Sequence, residues 1–155
     1  STRYETLFPY TTLFRSLAKH CLLFDEFIAA EIEAGNISSD FFTDRTEKIR
    51  FHGHCQQKSL ITTKFTKQIL SLPANYSVTE IPSGCCGMAG SFGYEKEHYD
   101  LSMKIGEMVL FPDIRNADKD TIICAVGTSC RCQIEDGTGV KALHPIEILF
   151  EALIK

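Results

Sequence analysis

Thr121-Ile122-Ile123-Cys124-Ala125-Val126-Gly127-Thr128-Ser129-Cys130 is the stretch that decides the fold. Thr121 to Val126 is the most strand-like piece of the chain, and the run stops at Gly127 with a cysteine three residues beyond. The same arrangement recurs twice upstream. Lys48-Ile49-Arg50-Phe51-His52 reads as a short strand ending at Gly53-His54-Cys55, and Tyr76 to Ile81 alternates like a strand before Pro82-Ser83-Gly84-Cys85. Between and around these lie helical segments. Leu22, Leu23, Phe27, Ala30 and Ala34 recur at helical spacing through Leu17 to Ala34, which stops at Gly35-Asn36. Gln56 to Leu72 reads as a helix ended by Pro73, and Glu95 to Ile114 as a helical stretch broken near Phe111-Pro112. Pro145 to Ile154 closes the chain as a helix with Pro in a tolerated first-turn position. Strands alternating with helices imply an α/β fold of three layers, a small and mostly parallel sheet with flanking helices. In such sheets the loops at the carboxyl edge gather on one side, where ligands bind. Cys55, the Cys85-Cys86 pair and Cys130 are therefore expected to converge.

The middle segment, Gly84-Cys85-Cys86-Gly87, carries two adjacent cysteines fenced by glycines. Neighbouring side chains of an extended segment point to opposite faces, so both thiols serve one centre only where the backbone turns sharply. Glycine permits that turn, and Gly87-Met88-Ala89-Gly90-Ser91 lets a bulky inorganic group approach the main chain. The pair is suited to hold metal. Structural zinc sites usually draw on C-x-x-C knuckles, of which this chain has none; its nearest approach is Cys130-Arg131-Cys132. Iron–sulfur clusters also take thiolate ligands and are larger than one ion, so separate loops and a vicinal pair can each reach a different iron. A cluster on Cys55, Cys85, Cys86 and Cys130 is the expected group, with zinc and a redox dithiol or vicinal disulfide as alternatives.

Composition fits this reading. A chain of 155 residues suits one domain and by general scaling buries about 70% of its unfolded surface, so disulfide staples are not needed. Cys21, Cys55, Cys85, Cys86, Cys124, Cys130 and Cys132 form an odd set with no secretory signal, which points to a reducing, cytoplasmic setting. The formal charge of −4 is mild and the basic residues are scattered, giving no nucleic-acid face. No run approaches the roughly 20 apolar residues that span a membrane. The amino terminus is anomalous: residues 6–16, Thr-Leu-Phe-Pro-Tyr-Thr-Thr-Leu-Phe-Arg-Ser, look like the in-frame translation of a sequencing adapter, the alternative being a natural, somewhat apolar leader. On the adapter reading, residues 1–16 are non-native and 17–155 are one domain from the carboxyl end of a larger protein.

Other residues have two readings each. Cys21 and Cys124 lie among apolar neighbours in a helix and a strand and are expected to pack as small hydrophobes. His52 and His54 flank the first ligand and either tune it through hydrogen bonds to sulfur or are packed and satisfied. Lys58 and Arg131 sit beside ligands and either offset thiolate charge or are solvated. Tyr94 to His98 reads as an acidic helix start, with docking of a partner domain as its other reading. His144 before Pro145 is expected to be a local cap.

The order Cys55, Cys85-Cys86-Gly87, Cys130 resembles the CCG cysteine-rich domain found in heterodisulfide reductases and in the iron–sulfur subunits of glycolate and anaerobic glycerol-3-phosphate dehydrogenases. His52-Gly53-His54-Cys55, the run from Gly84 to Glu97, Gly127 to Arg131 and Ala142 to Glu147 are similar to the last domain of fused flavin and iron–sulfur D-2-hydroxy acid dehydrogenases, the D-2-hydroxyglutarate and D-lactate enzymes. The resemblance covers Leu17 to the end. It implies a [4Fe-4S] cluster, cubane or noncubane, and, elsewhere in the polypeptide, an FAD-binding domain and ferredoxin-type domains as partners. It implies an electron-transfer role in oxidising a D-2-hydroxy acid to a 2-oxo acid, to an acceptor left unspecified. A disulfide-cleaving domain like that of heterodisulfide reductase is the alternative, and a zinc-stabilised interaction module a further one. The chain departs from the wider pattern, which ends in C-x-x-C, because Gln133 holds the second position and the extra cysteine is Cys132. Cluster type and any fifth ligand, Cys132 or Cys124, are left open. The nearer subgroup commonly shows His at the positions of Gln56 and Cys132, so neither is expected to be an obligatory ligand. The chain has no G-x-G-x-x-G fingerprint, so the flavin step is not assigned to it.

Overall fold

Three short strands, β1 (Glu47–His52), β2 (Tyr76–Glu80) and β3 (Ile122–Ala125), form an all-parallel sheet in the order β2-β1-β3. They belong to a computed structural model that describes residues 9–18 and 20–154. The helices are α1 (Pro9–Ala18), α2 (Phe24–Glu33), α3 (Cys55–Leu60), α4 (Lys64–Leu70), α5 (Tyr99–Met108), α6 (Leu110–Arg115), α7 (Thr128–Thr138) and α8 (Pro145–Ala152). The α/β architecture expected from the alternating pattern is the one observed. Of the leader expected over residues 1–16, the part before Pro9 lies outside the described residues.

Parallel pairing sends alternate residues of the central strand to opposite layers. Ile49 pairs with Ile122 and Phe51 with Cys124, and these residues face a core that includes Ala29, Ile69, Leu70, Ile148 and Leu149 from α2, α4 and α8. The other face holds Ile123 and Ala125, packed with Leu110, Phe111, Ile114 and Ile134 from α6 and α7. On that face β1 contributes Arg50, paired with Asp113 at 3.3 Å, and His52, which is fully buried. The fully buried histidine at the end of the central strand marks where the site lies.

Three helix boundaries differ from the expectation, each for a local reason. The helix expected from Leu17 begins only at Phe24, where the Leu23 N–H donates to Glu26 Oε2 at 2.8 Å and Asp25 and Glu26 occupy the positive first turn. The helix expected over 56–72 is two helices. Between them Ile61, Thr62 and Thr63 are stiff at Cβ, and the threonine hydroxyls bind locally: Thr62 Oγ1 accepts from the Lys64 N–H at 3.2 Å, and Thr63 donates to Glu80 Oε2 at 2.9 Å. The third expected helix starts at Tyr99 rather than Glu95 and breaks at Val109, upstream of Phe111-Pro112. Pro112 has no N–H to give to the carbonyl of Met108, so the chain resets and restarts with Pro112 in the first turn of α6. Helix α7, whose span was not assigned from spacing, ends at Gly139 in the left-handed conformation, φ +71°.

Phe111 is completely buried among α5, α6 and α7, while Phe150 on α8 is 63% exposed. Phe111→Ala is expected to cost about 3–5 kcal/mol by urea denaturation, and Phe150→Ala no more than about 0.5 kcal/mol; equal losses would show that the second core is not formed as described.

Candidate metal centre

The three strand ends deliver their cysteines to one edge of the sheet. Cys55 is the first residue of α3 and Cys130 the third of α7, so both stand in the opening turns of the following helices rather than in the loops themselves. Cys85 and Cys86 lie in the irregular segment after β2. Ligand atoms of Cys86, Cys130 and His52 all lie within 4.8 Å of one another, and all three residues are buried. Cys55 and Cys85 are half-buried and stand close enough that their charges act on Cys130.

Electrostatics at this group follow from burial, crowding and N–H donors. The Cys86 thiol is pulled down to about 4, chiefly by the Cys130 thiol facing it, with His52 and the Met88 N–H adding to the effect against the cost of burial. Cys130 is pushed the other way by donating its proton in a hydrogen bond to Cys86, by burial, and by the charges of Cys86, Cys55 and Cys85. Burial raises Cys85 while the Gly87 and Ala89 N–H groups oppose it, and the Gly87 N–H reaches Cys85 Sγ at 3.3 Å. This turn uses an unusual backbone. Gly87 has φ +105°, and Ala89, a non-glycine residue, is held at φ +41°. A Cβ on Gly87 would collide with the Ser102 carbonyl oxygen. Of the two adjacent thiols, Cys86 belongs to the close group with Cys130 and His52, whereas Cys85 stands outside it, near enough for its charge to act on Cys130.

The remaining residues fall on one side or the other of their two readings. His52 Nδ1 lies 2.7 Å from Ser83 Oγ, and its Nε2 has no hydrogen-bond partner among the described residues. His54 instead caps α3, its Nδ1 accepting from the Gln56 N–H at 3.2 Å. His144 is the expected cap, accepting from the Ile146 N–H at 3.2 Å while Glu147 Oε2 accepts from the His144 N–H. Lys58 is exposed and Arg131 half-buried, and both donate to backbone carbonyls rather than to sulfur. Lys58 Nζ donates to the Ser83 carbonyl at 2.6 Å, and Arg131 donates to the carbonyls of Ala125 and Val126 at 3.0 and 2.8 Å, tying down the loops that carry the cysteines. Cys124 is fully buried in the first core, as expected, and burial pushes its thiol far up. Cys21 is exposed outside any helix, correcting the expectation that it packs in the core, because the helix assigned to it starts three residues later. Gln133 donates to Ser102 Oγ at 2.9 Å and so braces the segment against which Gly87 packs. Its role and that of Ser83 were not read from the sequence; a lone polar residue among cysteines and glycines is too weak a signal.

No family model and no solved structure matches the chain. Among curated proteins it is 34% identical over 106 residues to a subunit of the anaerobic glycerol-3-phosphate dehydrogenase of Escherichia coli K12, covering 68% of this chain and 26% of that protein. It is 29% identical over 136 residues to the D-2-hydroxyglutarate dehydrogenase of the same strain, covering 85% of this chain and 13% of the relative. The Pseudomonas putida D-2-hydroxyglutarate dehydrogenase is 33% identical over 104 residues. The chain is a homologue of both kinds of protein. The CCG resemblance carried by Cys55, Cys85-Cys86-Gly87 and Cys130 is thereby borne out, and this CCG chain spans about a quarter or less of each relative's length. No helix among its described residues is long and apolar enough to cross a membrane.

Two outcomes test this geometry. Gly87→Ala is expected to lower stability by about 1–3 kcal/mol in urea denaturation, whereas Gly84→Ala, with open space around it, is expected to change it by no more than about 0.5 kcal/mol. Alkylation of the native protein followed by mass spectrometry is expected to label Cys21 and to spare Cys124 until the chain is unfolded; equal labelling of the two would contradict their burial.

Proposed function

We propose that the chain is the iron–sulfur electron-transfer domain of an FAD-linked oxidoreductase, with Cys55, Cys85, Cys86 and Cys130 as the ligands of a [4Fe-4S] cluster. The observation that carries this reading is the convergence of buried Cys86 and Cys130, with His52, within 4.8 Å at the ends of three separate segments. The donor set fits such a group: soft thiolates suit iron–sulfur clusters, and two of the four stand half-buried around two that are buried. Bound there, a cluster supplies one-electron uptake and release. The chain's own residues do the rest. The N–H groups of Gly87, Met88 and Ala89 stabilise thiolate charge. Lys58 and Arg131 hold the ligand-bearing loops, and the surrounding second core keeps water from the inner pair.

The flavin unit that feeds this domain is proposed to oxidise a D-2-hydroxy acid to a 2-oxo acid, a reading supported by the match to a D-2-hydroxyglutarate dehydrogenase over 85% of the chain. A second reading for the metal, zinc, is favoured by one observation, the compact His52, Cys86 and Cys130 set, whose atom types zinc also accepts.

Anaerobic reconstitution with iron and sulfide decides between them. The protein is expected to take up about four of each per chain, and stoichiometric zinc without sulfide would overturn the cluster. Cys86→Ser is expected to lose the iron and Cys21→Ser to keep it, read by iron and sulfide analysis and by electron paramagnetic resonance.

A further inference from the structure

We propose that His52 is a positioning residue of this centre, an Nε2–H donor to the sulfurs of Cys86 and Cys130 and not a metal ligand, with its tautomer fixed by Ser83. The inference deepens the cluster reading and rests on it for its redox consequence; the tautomer itself does not depend on bound metal.

The argument begins with β1. His52 is the last residue of the central strand and is fully buried, on the face it shares with Ala125. Its Nδ1 lies 2.7 Å from Ser83 Oγ. Ser83 is itself buried, 4% exposed, and its backbone carbonyl is held by Lys58 Nζ at 2.6 Å. A serine hydroxyl carries one hydrogen and must donate it somewhere when buried. Among the described residues its hydrogen-bond partner is His52 Nδ1. If Nδ1 carried the ring proton it would donate to the hydroxyl oxygen, and the hydroxyl hydrogen, turned away from it, would lack an acceptor among the described residues. The hydroxyl therefore donates to Nδ1, which leaves the ring proton on Nε2.

Nε2 is buried with no hydrogen-bond partner among the described residues, and a ring nitrogen of His52 lies within 4.8 Å of Cys86 Sγ and Cys130 Sγ. With Nδ1 engaged by Ser83, Nε2 is the ring nitrogen left without a partner, and the sulfurs of Cys86 and Cys130 are the acceptors we infer for its N–H. A histidine ligates metal through a nitrogen lone pair, and in this tautomer the outward-facing lone pair is absent from Nε2. Donors to cluster or ligand sulfur stabilise the more negative, reduced state and raise the reduction potential.

The test has two arms. In the metal-free full-length chain, long-range ¹H–¹⁵N spectra of the imidazole are expected to show the Nε2–H tautomer for His52, and Ser83→Ala to lose that single-tautomer signature; an Nδ1–H pattern in the unaltered protein overturns the inference. In reconstituted protein, His52→Leu is expected to keep the iron and sulfide content but shift the potential downward, and His52→Gln, which retains an N–H at the corresponding position, to restore most of it. An unchanged potential in His52→Leu, or loss of iron in both variants, overturns the inference, the latter by making His52 a ligand. If the unaltered protein takes up no iron at all, the cluster reading fails, and the tautomer measurement still decides the role of His52.

Discussion

Everything at the centre depends on the parallel pairing of β1 with both of its neighbours. Strands that run in one direction finish at one edge, and the pairs Phe51 with Glu80 and His52 with Ala125 bring the three strand ends level there. Each then turns into the segment that carries its cysteine. The sequence separation from Cys55 to Cys130 is thereby cancelled without any disulfide, by ladder hydrogen bonds and two apolar layers. The central strand also sorts side chains by parity: Ile49 and Phe51 support one core, whereas Arg50 and His52 face the other. The histidine reaches the thiols because of its place in that alternation.

Several sulfurs crowded in a buried place repel one another once ionised, and the surroundings answer with donors rather than with cations. Gly87, Met88 and Ala89 turn their N–H groups toward the pair. The cations nearest in sequence, Lys58 and Arg131, are instead engaged with carbonyls of Ser83, Ala125 and Val126. That division has a physical basis. Backbone donors in a rigid turn are already ordered, whereas a long charged side chain must be both desolvated and immobilised to act in the same way. The loop geometry therefore supplies the electrostatics, and the basic residues supply the loop geometry.

Much of this is legible in the sequence. The three strands, their parallel sense, the carboxyl-edge placement of Cys55, Cys85-Cys86 and Cys130, the buried Cys124 and the His144 cap all follow from local pattern. The errors share a cause. The helices expected over 17–34 and 56–72 start late or split, and the break expected near Phe111-Pro112 falls at Val109, because Glu26, Thr62, Thr63 and Pro112 redirect backbone hydrogen bonds locally, a matter of one or two side chains that apolar periodicity averages away. Helix α7 was not assigned a span because the side chains it buries are Cys130, Gln133 and Ile134, only one of which is a conventional apolar residue. Cys21 was misjudged for the reverse reason: apolar neighbours in sequence, Leu22 and Leu23, are themselves largely exposed.

The sequence by itself determined the order of the elements, the sharp turn at Gly84-Cys85-Cys86-Gly87 and the residue types available to one edge, since these depend on propensity and on spacing along the chain. Only the tertiary structure decided which neighbours of the cysteines act on them. His52 and His54 are alike in sequence, two residues apart beside the same cysteine, yet one is buried against Ser83 and the sulfurs while the other caps a helix. The difference arises where β1 ends and α3 begins: the last strand position points into a core layer, and two residues later the chain has left the sheet.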